Sequence, residues 1–403
     1  MIPFNKPFLT GKEAHYIYQA VYGGKLSGNG TYTKKCQNFF EQHYGFKKAL
    51  LTTSCSDALE MAAILCDVKP GDEVIVPSYT FVSSALAFVR QGARIVFADS
   101  CKDNPNIDAD KIEALITDRT RVIVPVHYAG VACDMDKIMD IAARHNLLVV
   151  EDAAQAVDSY YKGRPLGSIG HIGCFSFHET KNIIAGEGGL LTVNDPRFIR
   201  RSEIIWEKGT NRSEFFRGEV NKYGWVDTGS SFLPSELVSA FLWAQIENMQ
   251  MIQSRRIEIW HRYHDGLAHL AADGLITLPD IPAYATNNAH MFYIVCRSLE
   301  ERTALIKHLK ANDILAVFHY LSLHRSTFYT SSPEHRPQNH QQLKKLSHTL
   351  PDGTIEDETI VEGMDLPACD RFADCLLRLP MFYELSDEQA DFIVDKINEF
   401  YAR

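Results

Sequence analysis

The chain has 403 residues, of which 45% are hydrophobic and 23% are charged, and its formal net charge is −10. This length allows two domains with a large buried core. The acidic balance and the lack of a polybasic cluster argue against a nucleic-acid surface. No apolar stretch reaches membrane-spanning length, the amino terminus carries no signal-like pattern, and the nine cysteines form no paired framework. We therefore expect a cytoplasmic protein with reduced thiols that binds neither nucleic acid nor membranes.

Between residues 45 and 195, short apolar runs alternate with helical patterns. The predicted strands are Asp72–Val76, Ala93–Phe97, Arg121–Val126, Leu147–Val150, Cys174–Phe177 and Leu190–Val193. Helices are predicted between them, for example over Asp57–Leu65 and Asp136–Arg144. This alternation predicts βαβ units and a mainly parallel sheet, and therefore an α/β domain.

Beyond residue 235 the pattern becomes helical. Apolar residues at helical intervals predict one long helix from Glu236 to Tyr263, which we interpret as the connector to a smaller lobe. The last third predicts strands at His290–Cys296 and Ile314–Phe318 and a final helix over Ser386–Tyr401. We therefore predict a large α/β domain over residues 1–245 and a small α+β domain over residues 246–403, with the amino-terminal segment packing on the small domain.

A carboxylate and a lysine follow two of the predicted strands. Asp152 comes just after Leu147–Val150, and Lys181 comes just after Cys174–Phe177. Ligands of open α/β sheets bind beyond the carboxyl ends of the strands. A lysine amine forms a Schiff base with the aldehyde of pyridoxal phosphate (PLP), and a carboxylate keeps the pyridine nitrogen protonated. Although most lysines are solvated surface residues, this pair predicts a PLP site.

Two further strand ends carry residues suited to the rest of that cofactor. Ser54, Cys55 and Ser56 lie between a strand and a helix, where hydroxyls and free backbone N–H groups can bind a phosphate. The alternative for Ser56 is that it caps the helix beginning at Asp57. The segment Pro77–Phe81 follows a strand and carries aromatic rings that either stack on a planar ligand or pack in the core.

Five segments, in this order and spacing, resemble the DegT/StrS-type sugar aminotransferases. They are Gly24–Gly30, Ser54–Leu59, Pro77–Phe81, Glu151–Ala156 and Ser176–Lys181. The resemblance covers nearly the whole chain. It implies the PLP-dependent transferase fold type I and PLP as cofactor, with pyridoxamine phosphate carrying the amine between two half-reactions.

Within this family the likeness is greatest to members that aminate C4 of dTDP-4-keto-6-deoxy-D-glucose. Their product is dTDP-4-amino-4,6-dideoxy-D-galactose, on the way to enterobacterial common antigen. The resemblance thus implies L-glutamate and a dTDP-keto-sugar as substrates, and a homodimer or higher homo-oligomer as the assembly. Another sugar or carbon position stays open.

Three other classes of protein share this scaffold. Family dehydratases carry a histidine in place of the lysine, so Lys181 favours transamination. A lyase or desulfurase of the same fold would need a catalytic cysteine on a mobile loop, and no cysteine here is evidently so placed. A non-enzymatic regulator is disfavoured because every catalytic position is occupied.

The resemblance also assigns roles to individual residues. Lys181 would form the Schiff base and move the proton, Asp152 would pair with the pyridinium nitrogen, and His178 would lie beside the lysine near the substrate or be a half-buried strand residue. The other implied cofactor contacts are Gln155 at the phenolic oxygen, Phe81 on the ring, and Ser54, Cys55, Ser56 and Ser176 at the phosphate. The implied substrate contacts are Ser27, Tyr79, His319 and Tyr320.

Two positions depart from the family pattern. Cys55 stands where the family often has glycine, and Ser231-Phe232-Leu233 stands where it often has Asn-Tyr-Arg. The Asn of that motif usually reaches the phosphate of the second subunit, so we expect Ser231 to do so through its hydroxyl. His319, His324 and His340 are close in sequence but lack zinc-ligand spacing, so we predict no metal site.

Overall fold

The computed structural model describes residues 1–349 and 355–402. Its main sheet has seven strands in the order β1-β9-β8-β5-β4-β2-β3. Two short strands, β6 and β7, form a separate hairpin. The bounds of these nine strands are β1 Lys48–Thr52, β2 Glu73–Pro77, β3 Arg94–Ala98, β4 Thr120–Ile123, β5 Leu148–Asp152, β6 Tyr160–Tyr161, β7 Arg164–Pro165, β8 Ile172–Ser176 and β9 Gly189–Val193.

Helices surround the main sheet and continue into a second lobe. Their bounds are α1 Glu13–Tyr22, α2 Thr31–Tyr44, α3 Cys55–Leu65, α4 Ser83–Val89, α5 Ala109–Ile112, α6 Met135–His145, α7 Pro196–Trp206, α8 Arg212–Phe216, α9 Glu236–Glu247, α10 Met249–Ala272, α11 Leu299–Ala311, α12 Thr327–Ser331, α13 Pro367–Cys375 and α14 Asp387–Tyr401. In the described part of the chain, no helix is long and apolar enough to cross a membrane.

The mainly parallel sheet predicted from the sequence is confirmed. The pairs β2–β3, β2–β4, β4–β5 and β5–β8 are parallel, whereas β9 runs antiparallel to both β1 and β8. Strands β2, β8 and β9 are buried along their whole length, as expected of a sheet covered on both faces. Because β2, β5 and β8 are parallel, their carboxyl ends meet at one edge of the sheet, where the segments after Pro77, Asp152 and Ser176 begin.

The single helix predicted over Glu236–Tyr263 is wrong, because the chain forms two helices there. Asn248 ends α9 with non-helical backbone angles, and its side-chain amide donates a hydrogen bond to the Ala244 carbonyl. Its own N–H turns back to the carbonyls of Gln245 and Ile246. The break is invisible to apolar periodicity because buried residues continue on both sides of it.

The second lobe is built on a three-stranded antiparallel sheet in the order β10-β14-β11. The strands are β10 Tyr293–Val295, β11 Val317–Phe318, β12 Leu343–Thr349, β13 Ile355–Val361 and β14 Leu376–Arg378, with β12 and β13 forming a separate hairpin. The predicted strands at His290–Cys296 and Ile314–Phe318 are therefore shorter than expected. Ile2 bonds to the backbone of Asp313 and Leu315 and joins the apolar core of this lobe. The domain boundary at 245/246 stays a prediction.

Candidate active site

A cavity of about 630 Å³ lies at the carboxyl ends of β5 and β8, and β14 of the second lobe supplies part of its wall. Most of the predicted site residues line it. They are Ser54, Cys55, Ser56, Phe81, Asp152, Gln155, Ser176, His178, Lys181, His319 and Tyr320. The folding of the parallel strands thus brings together segments that are more than a hundred residues apart.

Asp152, the last residue of β5, is held on both carboxylate oxygens. Ser84 at the start of α4 donates to Oδ2 at 2.6 Å, and the Ala154 N–H donates to Oδ1 at 3.1 Å. Burial raises the pKa of this carboxyl, while these two hydrogen bonds and the charge of Lys181 oppose the rise. A fixed, buried carboxylate of this kind gains most from a cationic partner in the cavity.

Lys181 lies one short turn beyond β8 and lines the same cavity as Asp152. Its backbone N–H donates to the His178 carbonyl, and burial lowers the pKa of its amine. The cation of Arg378 adds to that lowering of the pKa, and the carboxylate of Asp152 opposes it. A lysine with a lowered pKa keeps more of its amine unprotonated and is a better nucleophile near neutral pH.

The amino terminus of α3 forms the third corner of the cavity. Ser54 caps this helix, because its hydroxyl accepts from the Asp57 N–H at 3.1 Å. The alternative that Ser56 caps a helix beginning at Asp57 is therefore wrong. The Ser56 hydroxyl instead lies 2.6 Å from the Ser83 hydroxyl. A side chain at Gly189 would overlap the Ser54 carbonyl, so a glycine is needed where β9 passes under this turn.

Two aromatic residues and an amide form the wall opposite α3. Gln155 accepts from the Ala129 N–H and donates to the Tyr320 hydroxyl at 3.0 Å. The ring of His319 stacks on Tyr320 with centroids 3.5 Å apart, and its Nδ1 lies 2.6 Å from the Tyr128 hydroxyl. Burial holds the pKa of His319 well below its ordinary value, so the ring is neutral.

Phe81 and His178 lie at the cavity mouth. Phe81 is 55% exposed and is thus not packed in the core. His178 Nδ1 is 2.9 Å from the Thr180 hydroxyl, and its Nε2 is 3.7 Å from Glu187. Both side chains can therefore reach a ligand in the cavity.

Three predicted residues lie outside the cavity wall. Tyr79 is 1% exposed and packs behind the wall against the rings of Tyr128, Tyr320 and Phe372. Ser27 and Ser231 are exposed on the surface. Ser231 forms a β-bridge with Glu207. Within this chain, then, none of the three contacts the space between Asp152 and Lys181.

The structure adds residues that sequence reasoning missed: His290 and Arg378 line the cavity, and the buried Ser84 donates to Asp152 without lining it. Ser84 follows the Pro77–Phe81 segment by only three residues, so reading that segment further would have found it. Arg378 is a lone cation in the apolar run Leu376–Leu379, which is a recognisable signal. His290 carried no signal, because its approach to Asn182 depends on how the two lobes pack.

Comparison with known proteins agrees with this geometry. The profile of the DegT/DnrJ/EryC1/StrS aminotransferase family matches residues 8–352, and the chain belongs to that family. The GDP-perosamine synthase of Caulobacter vibrioides is 34% identical over 320 residues, covering 78% of this chain and 83% of that protein. The GDP-perosamine synthase of Escherichia coli O157:H7 is 29% identical over 405 residues, covering 100% and 99%.

Solved structures show the same architecture. DesV of S. venezuelae, in complex with a ketimine intermediate, has 29% sequence identity and a TM-score of 0.84, with 100% of this chain and 99% of that chain covered. The aminotransferase from Psychrobacter cryohalolentis has 26% identity and a TM-score of 0.87, with 99% of each chain covered. The fold is that of the fold type I PLP enzymes, and the protein is a PLP-dependent sugar aminotransferase acting on nucleotide-linked sugars.

The residues of the cavity fit PLP. The buried carboxylate of Asp152 has no cationic partner within hydrogen-bonding distance among the described residues, and a pyridinium would supply one. The α3 turn, free of any side chain from Gly189, leaves backbone N–H groups and serine hydroxyls for a phosphate. In the described residues, no three His, Cys, Asp or Glu side chains are grouped so that they could hold a metal ion.

Proposed function

We propose that this aminotransferase moves the amino group of L-glutamate to the C4 keto group of dTDP-4-keto-6-deoxy-D-glucose. The product would be dTDP-4-amino-4,6-dideoxy-D-galactose, made in the cytoplasm for enterobacterial common antigen. The observation that carries the reaction type is that the buried Asp152 and the half-buried Lys181 line one cavity. The choice of sugar is supported by the likeness over the five sequence segments.

Bound PLP supplies an aldehyde that condenses with amines and a ring that withdraws electrons when its nitrogen is protonated. Asp152 would hold that nitrogen in its protonated form, because Ser84 and Ala154 keep its carboxylate in place and burial strengthens its attraction for a cation. The Lys181 amine would accept the proton from the α-carbon of the amino donor in one half-reaction and deliver a proton to the sugar carbon in the other. Gln155 and Tyr320 fix the opposite wall through their mutual hydrogen bond.

A GDP-linked keto-sugar is the second candidate acceptor, because two relatives over most of the chain are GDP-perosamine synthases. A panel of dTDP- and GDP-linked 4-keto and 3-keto sugars separates the candidates. We expect turnover with dTDP-4-keto-6-deoxy-D-glucose and, by NMR, an axial C4 amine in the product. Preferred use of the GDP-linked sugar, or an amine at another carbon, would contradict the proposed substrate.

We also propose that the active unit is a homodimer in which Ser231 reaches the cofactor phosphate of the partner subunit. Ser231 is exposed and lies outside its own cavity. The surrounding loop is held by backbone hydrogen bonds, from Lys208 to the Ser230 carbonyl and from Thr53 to the Phe232 carbonyl. The exposed hydroxyl is therefore presented on an ordered segment.

Mixed dimers test this assembly. Chains carrying Lys181→Ala are re-formed with chains carrying Ser231→Asp, whose carboxylate would repel a phosphate. If sites are shared, one hybrid site combines two intact contributions and activity returns. Hybrid dimers that are confirmed by mass measurement but are no more active than either parent would mean that each site is built within one chain.

A further inference from the structure

Arg378 is a cation without a carboxylate partner at the cavity wall. It ends β14, the central strand of the second lobe's sheet, where it pairs with Tyr293 and Val317. Its guanidinium lies 4.6 Å from the centroid of the Phe4 ring. Its Nε is buried and has no hydrogen-bond partner in the described part of the protein. A buried hydrogen-bond donor of this kind destabilises the fold unless a ligand accepts its hydrogen bond.

The charged groups described in the cavity wall leave Arg378 without an ion-pair partner. The acidic groups on its wall are Asp152 and Glu187, and the basic side chains, apart from the histidines, are Lys181 and Arg378. Asp152 is held by Ser84 and Ala154, and Glu187 lies near His178. Among the described residues, no carboxylate forms an ion pair with Arg378, and the groups that favour its charge are tyrosine hydroxyls. The cation is thus available to an anionic ligand.

The position of Arg378 selects which anion it meets. The cofactor phosphate fits the α3 turn, and that turn is built by the large sheet rather than by β14. Arg378 lines the same cavity as Lys181, His290 and His319. It therefore lies at the side of the cavity where amines are exchanged.

Two anions could come to that side. The α-carboxylate of an amino acid is one bond from the carbon that loses its proton. The diphosphate of a nucleotide-linked sugar is attached at C1 and lies across the ring from a C4 carbonyl. Arg378 lines the same cavity as Lys181, and its Nε is buried in the wall, so the carboxylate beside the reacting carbon fits it better than a diphosphate at the far end of the sugar. A guanidinium can bind a carboxylate with two parallel hydrogen bonds.

We propose that Arg378 binds the α-carboxylate of the amino donor and so orients the donor's α-carbon towards Lys181. This assignment rests on the proposed aminotransferase reaction and adds the residue that recognises its donor. His290 and His319 line the same cavity, and burial lowers the pKa of both rings, so they are neutral and leave the charge of Arg378 uncompensated for the incoming carboxylate.

The test measures the two half-reactions separately in the PLP-loaded protein. In Arg378→Gln, the apparent affinity for L-glutamate should fall about 10- to 100-fold, the scale of one hydrogen-bonded charged contact. The reaction of the pyridoxamine form with the nucleotide sugar should change by less than about threefold, well under the effect of one such contact. Arg378→Lys should restore part of the donor affinity, because it keeps the charge without the paired hydrogen bonds.

An amide analogue shows whether the α-carboxylate itself is the ligand. The wild-type protein should prefer L-glutamate to L-glutamic acid α-amide, and this preference should collapse in Arg378→Gln. Preference over L-glutamine, which lacks only the side-chain carboxylate, should persist. Calorimetry gives a readout that does not depend on turnover, because α-methyl-L-glutamate has no α-proton to lose. Arg378→Gln should bind this analogue more weakly than the wild-type protein does.

Arg302→Gln is the matched control. Arg302 lies on α11 of the same lobe, rests on the Phe318 ring and also has a buried Nε without a partner, but it does not line the cavity. It should leave donor affinity unchanged. In Arg378→Gln, a loss of activity confined to the half-reaction with the nucleotide sugar would instead place the diphosphate at Arg378. If Arg378→Gln slowed both half-reactions equally and bound PLP more weakly, the role of Arg378 would be structural.

The design separates this inference from the proposed function. Failure of the wild-type protein to use L-glutamate, with activity towards another amino acid, would overturn the donor alone. The same preference for acid over amide is then measured with that amino acid. An unchanged preference in Arg378→Gln would overturn the inference whichever donor is used.

Discussion

The two sides of the cavity are built differently. On the side of the large sheet, Asp152 and Ser54 each have hydrogen-bond partners within the chain. On the side of the second lobe, the Nε of Arg378 is buried and has no hydrogen-bond partner among the described residues. A group that is already satisfied is held in place for a permanent ligand. A group left unsatisfied is poised for a ligand that comes and goes.

This difference matches the two tasks of a transaminase. The cofactor stays through both half-reactions, so its site is rigid before it binds. The amino donor and the keto-sugar use the same space in turn, so the groups that meet them cannot be committed to protein partners. The sheet side therefore should control chemistry, and the lobe side should control which substrate is accepted.

The largest expected effect is on the sheet side. Lys181→Ala removes the amine that attaches the cofactor and moves the proton, so turnover should fall by about 10⁶, the scale for loss of an essential nucleophile. Borohydride reduction followed by mass measurement should find no cofactor linked to the variant, while its circular dichroism stays that of the wild type. Multiple turnovers by a cofactor-linked variant would contradict the assignment.

Asp152→Asn should have the next largest effect. A neutral amide cannot keep the pyridine nitrogen protonated, so both half-reactions should slow by at least about 10²–10³-fold while PLP still binds. Stopped-flow absorbance of each half-reaction checks this. Slowing of only one half would show that the carboxylate serves a substrate and not the shared cofactor. Single-turnover rates near those of the wild type would show that Asp152 does not hold the pyridine nitrogen in its protonated form.

Gly189→Ala tests the fit of the α3 turn to the phosphate. The added methyl overlaps the Ser54 carbonyl, so the turn must shift. Affinity for PLP should fall about 10- to 100-fold, in line with the usual 1–3 kcal/mol for overpacking. Gly224→Ala is the control, because its methyl would meet no atom within 4 Å. Equal PLP affinity in the two variants, measured by fluorescence titration, would place the phosphate elsewhere.

The smallest effect concerns the stability of the cofactor-free protein. Burial raises the pKa of Asp152, so between its ordinary value of 3.8 and the raised value the unfolded chain binds fewer protons than the folded one. Folding stability contributed by this group is therefore present at low pH and lost as pH rises. Asp152→Asn, which stays neutral, should gain thermal stability over the wild type as pH rises from about 4 to 7. A difference in Tm that does not depend on pH would contradict this.

The sequence by itself determined the sheet side of the site. Asp152, Lys181 and the Ser54–Ser56 turn each follow an apolar strand directly, and parallel strands must bring their carboxyl ends to one edge. Local pattern and chain direction therefore suffice to place these residues together. The same reasoning could not find the end of α9 at Asn248, since a cap made by one side chain leaves the apolar periodicity unbroken.

Only the tertiary structure decided the other side. Arg378 belongs to a lobe whose strands pair antiparallel across long stretches of sequence, and His290 meets Asn182 only where the lobes touch. Burial also decided between alternatives that the sequence left open, placing Tyr79 behind the wall and Phe81 at the cavity mouth. Which face of an aromatic segment is covered depends on what packs against it, and that is a property of the whole fold.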